Sequence, residues 1–94
     1  MRKKKLLFIY NPKAGKAQIR NHLLDIIDVL SKGGYEVTVM PTQAAGEAVH
    51  MVKDRESGYE MVVCSGGDGT LDEVVTGMMQ CGEKVPIGYI PAGS

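Results

Sequence analysis

The sequence carries no surplus charge of either sign. Eleven Lys and Arg are balanced by eleven Asp and Glu across 94 residues, so no overall field draws the chain to nucleic acid or holds it on a membrane. No apolar run approaches transmembrane length, and no His or Cys spacing suits a metal ligand set. The two cysteines, Cys64 and Cys81, fall in or beside apolar stretches. They read as reduced core thiols of a cytoplasmic protein rather than a disulfide. Repeats, low-complexity tracts and internal linkers are missing, and the length suits one domain with a modest core. The basic start Arg2-Lys3-Lys4-Lys5 precedes Leu6 to Tyr10, an apolar run shorter than the about 7–15 residues of a signal-peptide h-region. It reads as a solvated beginning to a strand, with peripheral contact to an anionic membrane as the alternative.

What the sequence does have is alternation. Residues 5–10 read as a buried strand, ended by Asn11-Pro12-Lys13-Ala14-Gly15, because the residue before a proline is pushed out of the helical region. Lys16 to Lys32 has helical periodicity, with Ile19, Leu23, Ile26, Ile27 and Leu30 on one face, and Gly33-Gly34 stops it. Glu36 to Met40 is a second strand, and Pro41 to Gly46 a loop. Glu47 to Ser57 is a second helix with Ala48, Val49 and Val52 inward and Gly58 as its cap. Tyr59 to Ser65 is a third strand and Thr70 to Cys81 a third helix, with Leu71, Val74, Val75, Met78 and Met79 on one side. Val85 to Ile90 is a fourth strand, and Pro91-Ala92-Gly93-Ser94 a final turn. This β-α-β-α-β-α-β order predicts an α/β fold. The expected form is a three-layer α/β/α sandwich around a four-stranded parallel sheet of order 2-1-3-4, with right-handed crossovers. Ligands of such sheets bind beyond the carboxyl ends of the strands. The four loops at those ends are all rich in Gly, Pro, Asn or Thr.

The third of these loops is the most telling. Ser65-Gly66-Gly67-Asp68-Gly69-Thr70 joins a buried strand to an amphipathic helix. Thr70 and Glu73, three apart, suit a capping box at the helix start. Three glycines in four residues permit positive φ and close approach of a ligand to the backbone. Turn amides and the positive end of the helix then face one space, a physical recipe for holding phosphate. Neither common phosphate loop is present: the Gly-Lys-Ser/Thr ending of a P-loop is absent, and the spacing misses G-x-G-x-x-G. Asp68 is unexpected inside an anion cradle, since a carboxylate repels phosphate. It can hold Mg²⁺ that bridges phosphate oxygens, accept backbone N–H bonds that shape the loop, or take a proton from an attacking hydroxyl. The residues alone leave these roles open.

Gly66-Gly67-Asp68-Gly69-Thr70 with Glu73 resembles the nucleotide loop of the diacylglycerol kinase catalytic domain family, which includes sphingosine, ceramide and bacterial lipid kinases. The loop alone is shared with NAD kinases and, loosely, with 6-phosphofructokinases. Asn11-Pro12-Lys13-Ala14-Gly15 resembles the first-strand loop of the lipid kinases, N-P-x-[AS]-G. Thr42, four residues before Gly46, fits the T-x-x-x-[GH] position, and Pro91-Ala92-Gly93-Ser94 resembles the start of P-x-G-[ST]-x-N-[DE]. The resemblance covers the whole chain and implies ATP with Mg²⁺ along this rim. The implied contacts are Asn11, Pro12, Lys13, Ala14, Gly15 and Thr42, together with Gly66, Gly67, Asp68, Gly69, Thr70, Leu71, Asp72 and Glu73. Asp68 carries the metal or loop role, and Asp72 stands where many relatives have asparagine.

In those places Asn11 can donate to a ribose or base, and Lys13 or Lys16 can meet a phosphate as a point charge. Thr42 can bond the ligand or cap the second helix. Glu73 can contact the nucleotide or complete the capping box. His22 and His50 read as surface residues without a role.

Kinases of this family have a second, β-rich domain that supplies the lipid acceptor site and the proposed general base. The chain is therefore expected to be the N-terminal nucleotide-binding part of a lipid kinase, inactive alone. Two alternatives stand beside this reading. One is a fragment of an NAD kinase or sugar-phosphate kinase. The other is a small non-enzymatic α/β module that pairs its edge strand with another chain as a homodimer.

Overall fold

The computed structural model describes residues 3–13 and 18–91, with backbone alone for 18–21. In chain order the elements are β1 (Lys4–Tyr10), α1 (Gln18–Lys32), β2 (Tyr35–Pro41), α2 (Glu47–Lys53), β3 (Tyr59–Gly66), α3 (Asp68–Gln80) and β4 (Ile87–Pro91). The strands form one sheet of order β2-β1-β3-β4, parallel at every pairing. The expected fold and strand order are therefore found.

Strand alternation sorts the core into two layers. Leu6, Phe8 and Val63 face one way and pack with Leu23, Ile26 and Leu30 of α1. Leu7, Ile9, Val62 and Cys64 face the other way, against Ala48 and Val52 of α2 and Val74 and Met78 of α3. Leu6, Leu7, Phe8 and Ile9 of β1 are all fully buried, as befits an inner strand covered on both faces. Each such side chain contributes roughly 1.5–3 kcal/mol through its removal from water.

Several boundaries differ from the periodicity reading, each for a local reason. Helix α2 ends at Lys53 rather than Ser57. Beyond it the Arg55 guanidinium donates to the Val52 carbonyl at 2.8 Å and to the Glu83 carbonyl, which ties the α2 exit to the α3–β4 loop. Gly58 has φ +101 but leads into β3 instead of capping α2. Helix α3 starts two residues early, because the Gly67 carbonyl accepts from Thr70 N at 3.1 Å and Leu71 N at 3.3 Å. β2 and β4 each run on to a proline, Pro41 and Pro91, and β4 begins at Ile87 rather than Val85. The buried stripe of α3 is narrower than expected: Val74, Gly77 and Met78 are buried, whereas Val75 and Met79 are 39% and 73% exposed. The reason is the tight crossing with α2. A Cβ at Gly77 would stand 2.5 Å from the Val49 carbonyl oxygen and 3.0 Å from the Val52 Cβ, so α3 presents only a thin edge to its neighbours.

Topology sets the site. Helix α1 leaves β1 toward one face, while α2 and α3 cover the other. The chain thus diverges in opposite directions from the carboxyl ends of neighbouring β1 and β3. Such a switch point opens a crevice between the two loops, and it is here that Asn11 and the Gly66–Thr70 turn meet.

Candidate functional site

The crevice is assembled from the ends of three strands. At the end of β1, Asn11 N donates to the Ser65 carbonyl at 3.0 Å. The Asn11 Oδ1 accepts from Lys13 N at 2.9 Å, an Asx turn that bends the chain at Pro12. With that oxygen engaged, the donor half of the Asn11 amide is what remains for a ligand. At the end of β2, Thr42 N donates to the Tyr10 carbonyl at 2.9 Å and continues the ladder into the 41–46 loop. The loop closes on Gln43 N donating to Glu47 Oε1 at 2.6 Å. These loops enclose a cavity of about 330 Å³ with Asn11, Lys13, Thr42, Gly69, Thr70 and Glu73 in its wall. That volume lies at the small end of the range of small-molecule pockets, ~300–1,000 Å³. A larger groove of about 530 Å³ runs beside α2, over Leu7, Met40 and Met51, away from the strand ends.

The Gly66–Thr70 turn is pinned from below. The Tyr89 hydroxyl on β4 donates to the Gly66 carbonyl at 2.9 Å. In a trans peptide the N–H lies opposite the C=O, so the Gly67 N–H is aimed away from Tyr89. The first amides of α3 have no partner within the helix, and its positive end lies at the same place.

The three glycines differ in kind. A Cβ at Gly66, where φ is +158, would come within 2.6 Å of Thr70 Oγ1 and 3.3 Å of the Asn11 Cβ. Gly66 is therefore required by packing. Gly67 has φ −84 and Gly69 shows no positive φ. A Cβ at either would meet nothing within 4 Å. The positive φ that glycine permits is used among these three by Gly66 only. Neither backbone shape nor space requires glycine at 67 or 69, even though glycine weakens a helical turn.

The remaining candidates separate clearly. Asp68 is exposed in the first turn of α3, and among the described residues no hydrogen bond reaches its carboxylate. Asp72 is also exposed; like Gly66, Gly67 and Asp68 it is not part of the cavity wall, while Leu71 packs against the core. Pro12 sits in the β1 turn. Ala14, Gly15, Lys16 and 92–94 lie outside the described residues. Thr42 does not cap α2, whose N-cap is Gly46, a residue with no side chain of its own to close the first turn.

The capping box is absent as well. Glu73 Oε1 instead accepts from Gly46 N at 3.0 Å and Ala48 N at 3.3 Å, so the carboxylate serves the start of a different helix. Tyr89 and the Glu73 partners went unseen in the sequence. The only signal for Tyr89 was its place near the end of the strand expected beside β3. Ser65 was also passed over. It is fully buried, and its hydroxyl has no partner among the described residues.

A lone carboxylate suits one cation in particular. Among the described residues no three His, Cys, Asp or Glu gather to hold a metal. Mg²⁺ commonly binds through one or two carboxylates and completes its shell with water and substrate phosphates, which Asp68 at an open turn can satisfy.

The thiols take no part in this. Cys64 is buried in the core, and burial pushes its thiol up to about 11 from 9.0. Cys81 is free, its sulfur donating to the Met78 carbonyl at 3.2 Å.

Comparison with known proteins bears on the family and the fold. Residues 5–94 match the model of the diacylglycerol kinase catalytic domain. A diacylglycerol kinase of Bacillus subtilis is 34% identical over 94 residues, which cover 97% of this chain and 30% of that protein. One from Staphylococcus carnosus is 37% identical over 93 residues, covering 98% and 30%. The crystal structure of a diacylglycerol kinase from Bacillus anthracis superposes with a TM-score of 0.85 at 26% identity, covering 99% of this chain and 34% of that one. The fold and rim thus define a parallel α/β domain of the kinase type with its crevice at the switch point. The chain belongs to the diacylglycerol kinase catalytic domain family, and it spans about 30% of the length of the curated relatives it matches. NAD and sugar-phosphate kinases give way to this assignment.

Proposed function

We propose that this chain is the nucleotide-holding part of a cytoplasmic lipid kinase that moves the γ-phosphate of ATP to a lipid hydroxyl. The observation that carries the reading is the pair Gly67 and Gly69: glycines that the fold does not need, at the switch-point turn, where a methyl would occupy otherwise open space. Backbone amides can then approach phosphate oxygens directly. The Asn11 amide donates to the ribose or base, Thr42 bonds the ligand from the facing wall, and Lys13 meets a phosphate as a point charge. Asp68 is the residue that would hold Mg²⁺, which would supply positive charge to offset that of the phosphates.

The protein's own residues supply position and electrostatics, which is most of what phosphoryl transfer asks of an enzyme. The lipid and the general base are met by the part of the enzyme that corresponds to the remaining length of the relatives. The 94-residue chain is accordingly expected to bind nucleotide and to transfer no phosphate.

Isothermal titration of the folded chain with Mg-ATP tests this. Saturable binding that weakens in Asp68→Ala and is lost in Gly67→Val supports the reading. No heat at millimolar nucleotide from a sample with native circular dichroism refutes it, and lipid phosphorylation by the chain alone refutes the division of labour.

A further inference from the structure

Glu73 stands in the wall of the rim cavity, on the second turn of α3. Its charge has the wrong sign to meet a triphosphate directly. The structure shows where that charge goes: one oxygen, Oε1, accepts from Gly46 N at 3.0 Å and from Ala48 N at 3.3 Å. Gly46 closes the 41–46 loop with φ +90, and Ala48 is fully buried against the core. Bonds from backbone N–H to a carboxylate are charge-assisted and stronger than neutral ones.

The 41–46 loop has other anchors: Thr42 N to the β1 end, Gln43 N to the Glu47 carboxylate, and the Ala44 carbonyl accepting from Glu47 N at 3.3 Å. Each ties it to β1 or to its own helix. Glu73 ties it to the helix that opens with the phosphate turn, across 27 residues of sequence at Gly46. The close α2–α3 crossing at Gly77 brings Glu73 within reach.

We propose that Glu73 is a positioning residue that locks the 41–46 loop to the phosphate turn, so that Thr42 on one wall and Gly69 and Thr70 on the other hold a set distance. It acts through the loop and does not touch the nucleotide. The affinity part of this proposal rests on the nucleotide reading above; the locking part does not.

The test uses the 94-residue chain without and with Mg-ATP. In nucleotide-free protein, Glu73→Leu removes the acceptor, so the ¹⁵N–¹H signals of Gly46 and Ala48 shift and those of the Gly67–Gly69 turn follow. Glu73→Gln keeps an acceptor oxygen and leaves the Gly46 and Ala48 signals near their original positions. With Mg-ATP, Glu73→Leu is expected to bind about tenfold or more weakly, and Glu73→Gln within a few-fold of the unaltered chain. Phe8→Leu, on the opposite side of the sheet, serves as a control that lowers the melting temperature without touching the rim.

Unmoved Gly46 and Ala48 signals in Glu73→Leu overturn the lock, whatever happens with nucleotide. Equal loss of affinity in Glu73→Gln and Glu73→Leu overturns it in favour of direct contact through charge. Equal loss in Phe8→Leu and Glu73→Leu reduces Glu73 to general stability and also overturns it. Shifted signals in an unaltered-fold variant, with an unaltered chain that ignores Mg-ATP, uphold the lock and refute the nucleotide reading instead.

Discussion

Gly69→Ala separates the needs of the fold from those of a ligand. Gly69 lies in the first turn of α3, and a Cβ there would meet nothing within 4 Å. Replacing a helical glycine by alanine removes about 0.5–1 kcal/mol of conformational entropy cost. For a domain of this size that raises the melting temperature by about 2–8 °C. The same methyl projects beside the rim cavity, in whose wall Gly69 stands. A phosphate oxygen approaching the turn amides would lose at least one charge-assisted bond, which is about 1.5–3 kcal/mol, or roughly tenfold to a hundredfold in affinity. The variant should therefore be more stable and bind Mg-ATP more weakly. Differential scanning calorimetry and isothermal titration on one preparation measure both. A lower melting temperature would show that glycine is needed structurally. A higher one with unchanged affinity would show that the open turn does not admit the ligand.

Gly66→Ala should behave in the opposite sense, because its Cβ would come within 2.6 Å of Thr70 Oγ1. Urea denaturation is expected to show a loss of about 1–3 kcal/mol. Gly77→Val should destabilise by a similar amount or more, since even a Cβ would press 2.5 Å from the Val49 carbonyl oxygen, and the signals of both α2 and α3 should move. The Cys64 thiol, raised from 9.0 to about 11 by burial, holds its proton more tightly in the folded than in the unfolded chain. Its share of stability is full below pH 9 and is lost as pH rises through 11. Denaturation of Cys64→Ala, which carries no such thiol, should lack that alkaline slope. In the folded chain at pH 8, Ellman's reagent should modify Cys81 and spare Cys64; two fast equivalents would contradict the burial.

Much of this molecule can be read from local pattern. Strand and helix runs alternate, and punctuation by Gly and Pro marks each loop, so the parallel sheet and the rim of unusual residues follow from the spacing of Leu6 to Tyr10, Met61 to Cys64 and their successors. What local pattern does not carry is contact between elements distant in sequence. Thr70 and Glu73 have the spacing of a capping box whether the carboxylate turns back on its own helix or reaches across to Gly46 and Ala48. Only the α2–α3 crossing decides, and that crossing depends on Gly77, a glycine whose role is invisible without its neighbour. The same crossing narrows the buried face of α3 and leaves Val75 and Met79 in solvent, against the periodicity. Arg55 shortens α2 by bonding carbonyls on either side of it in space, a choice a helical propensity cannot show. Tyr89 reaches the Gly66 carbonyl because β4 pairs beside β3 with Cys64 opposite Tyr89, a register fixed only in the folded sheet.

The most direct test of the central claim is a Mg-ATP titration of the ¹⁵N-labelled chain, following the backbone amides of Gly67, Asp68 and Gly69. If the turn between β3 and α3 holds the phosphates, these three signals move together and saturate, with Asn11 and Thr42 following and the far ends of the strands still. Should they stay in place at millimolar nucleotide while the spectrum remains that of a folded protein, the turn does not hold phosphate and the functional account is wrong.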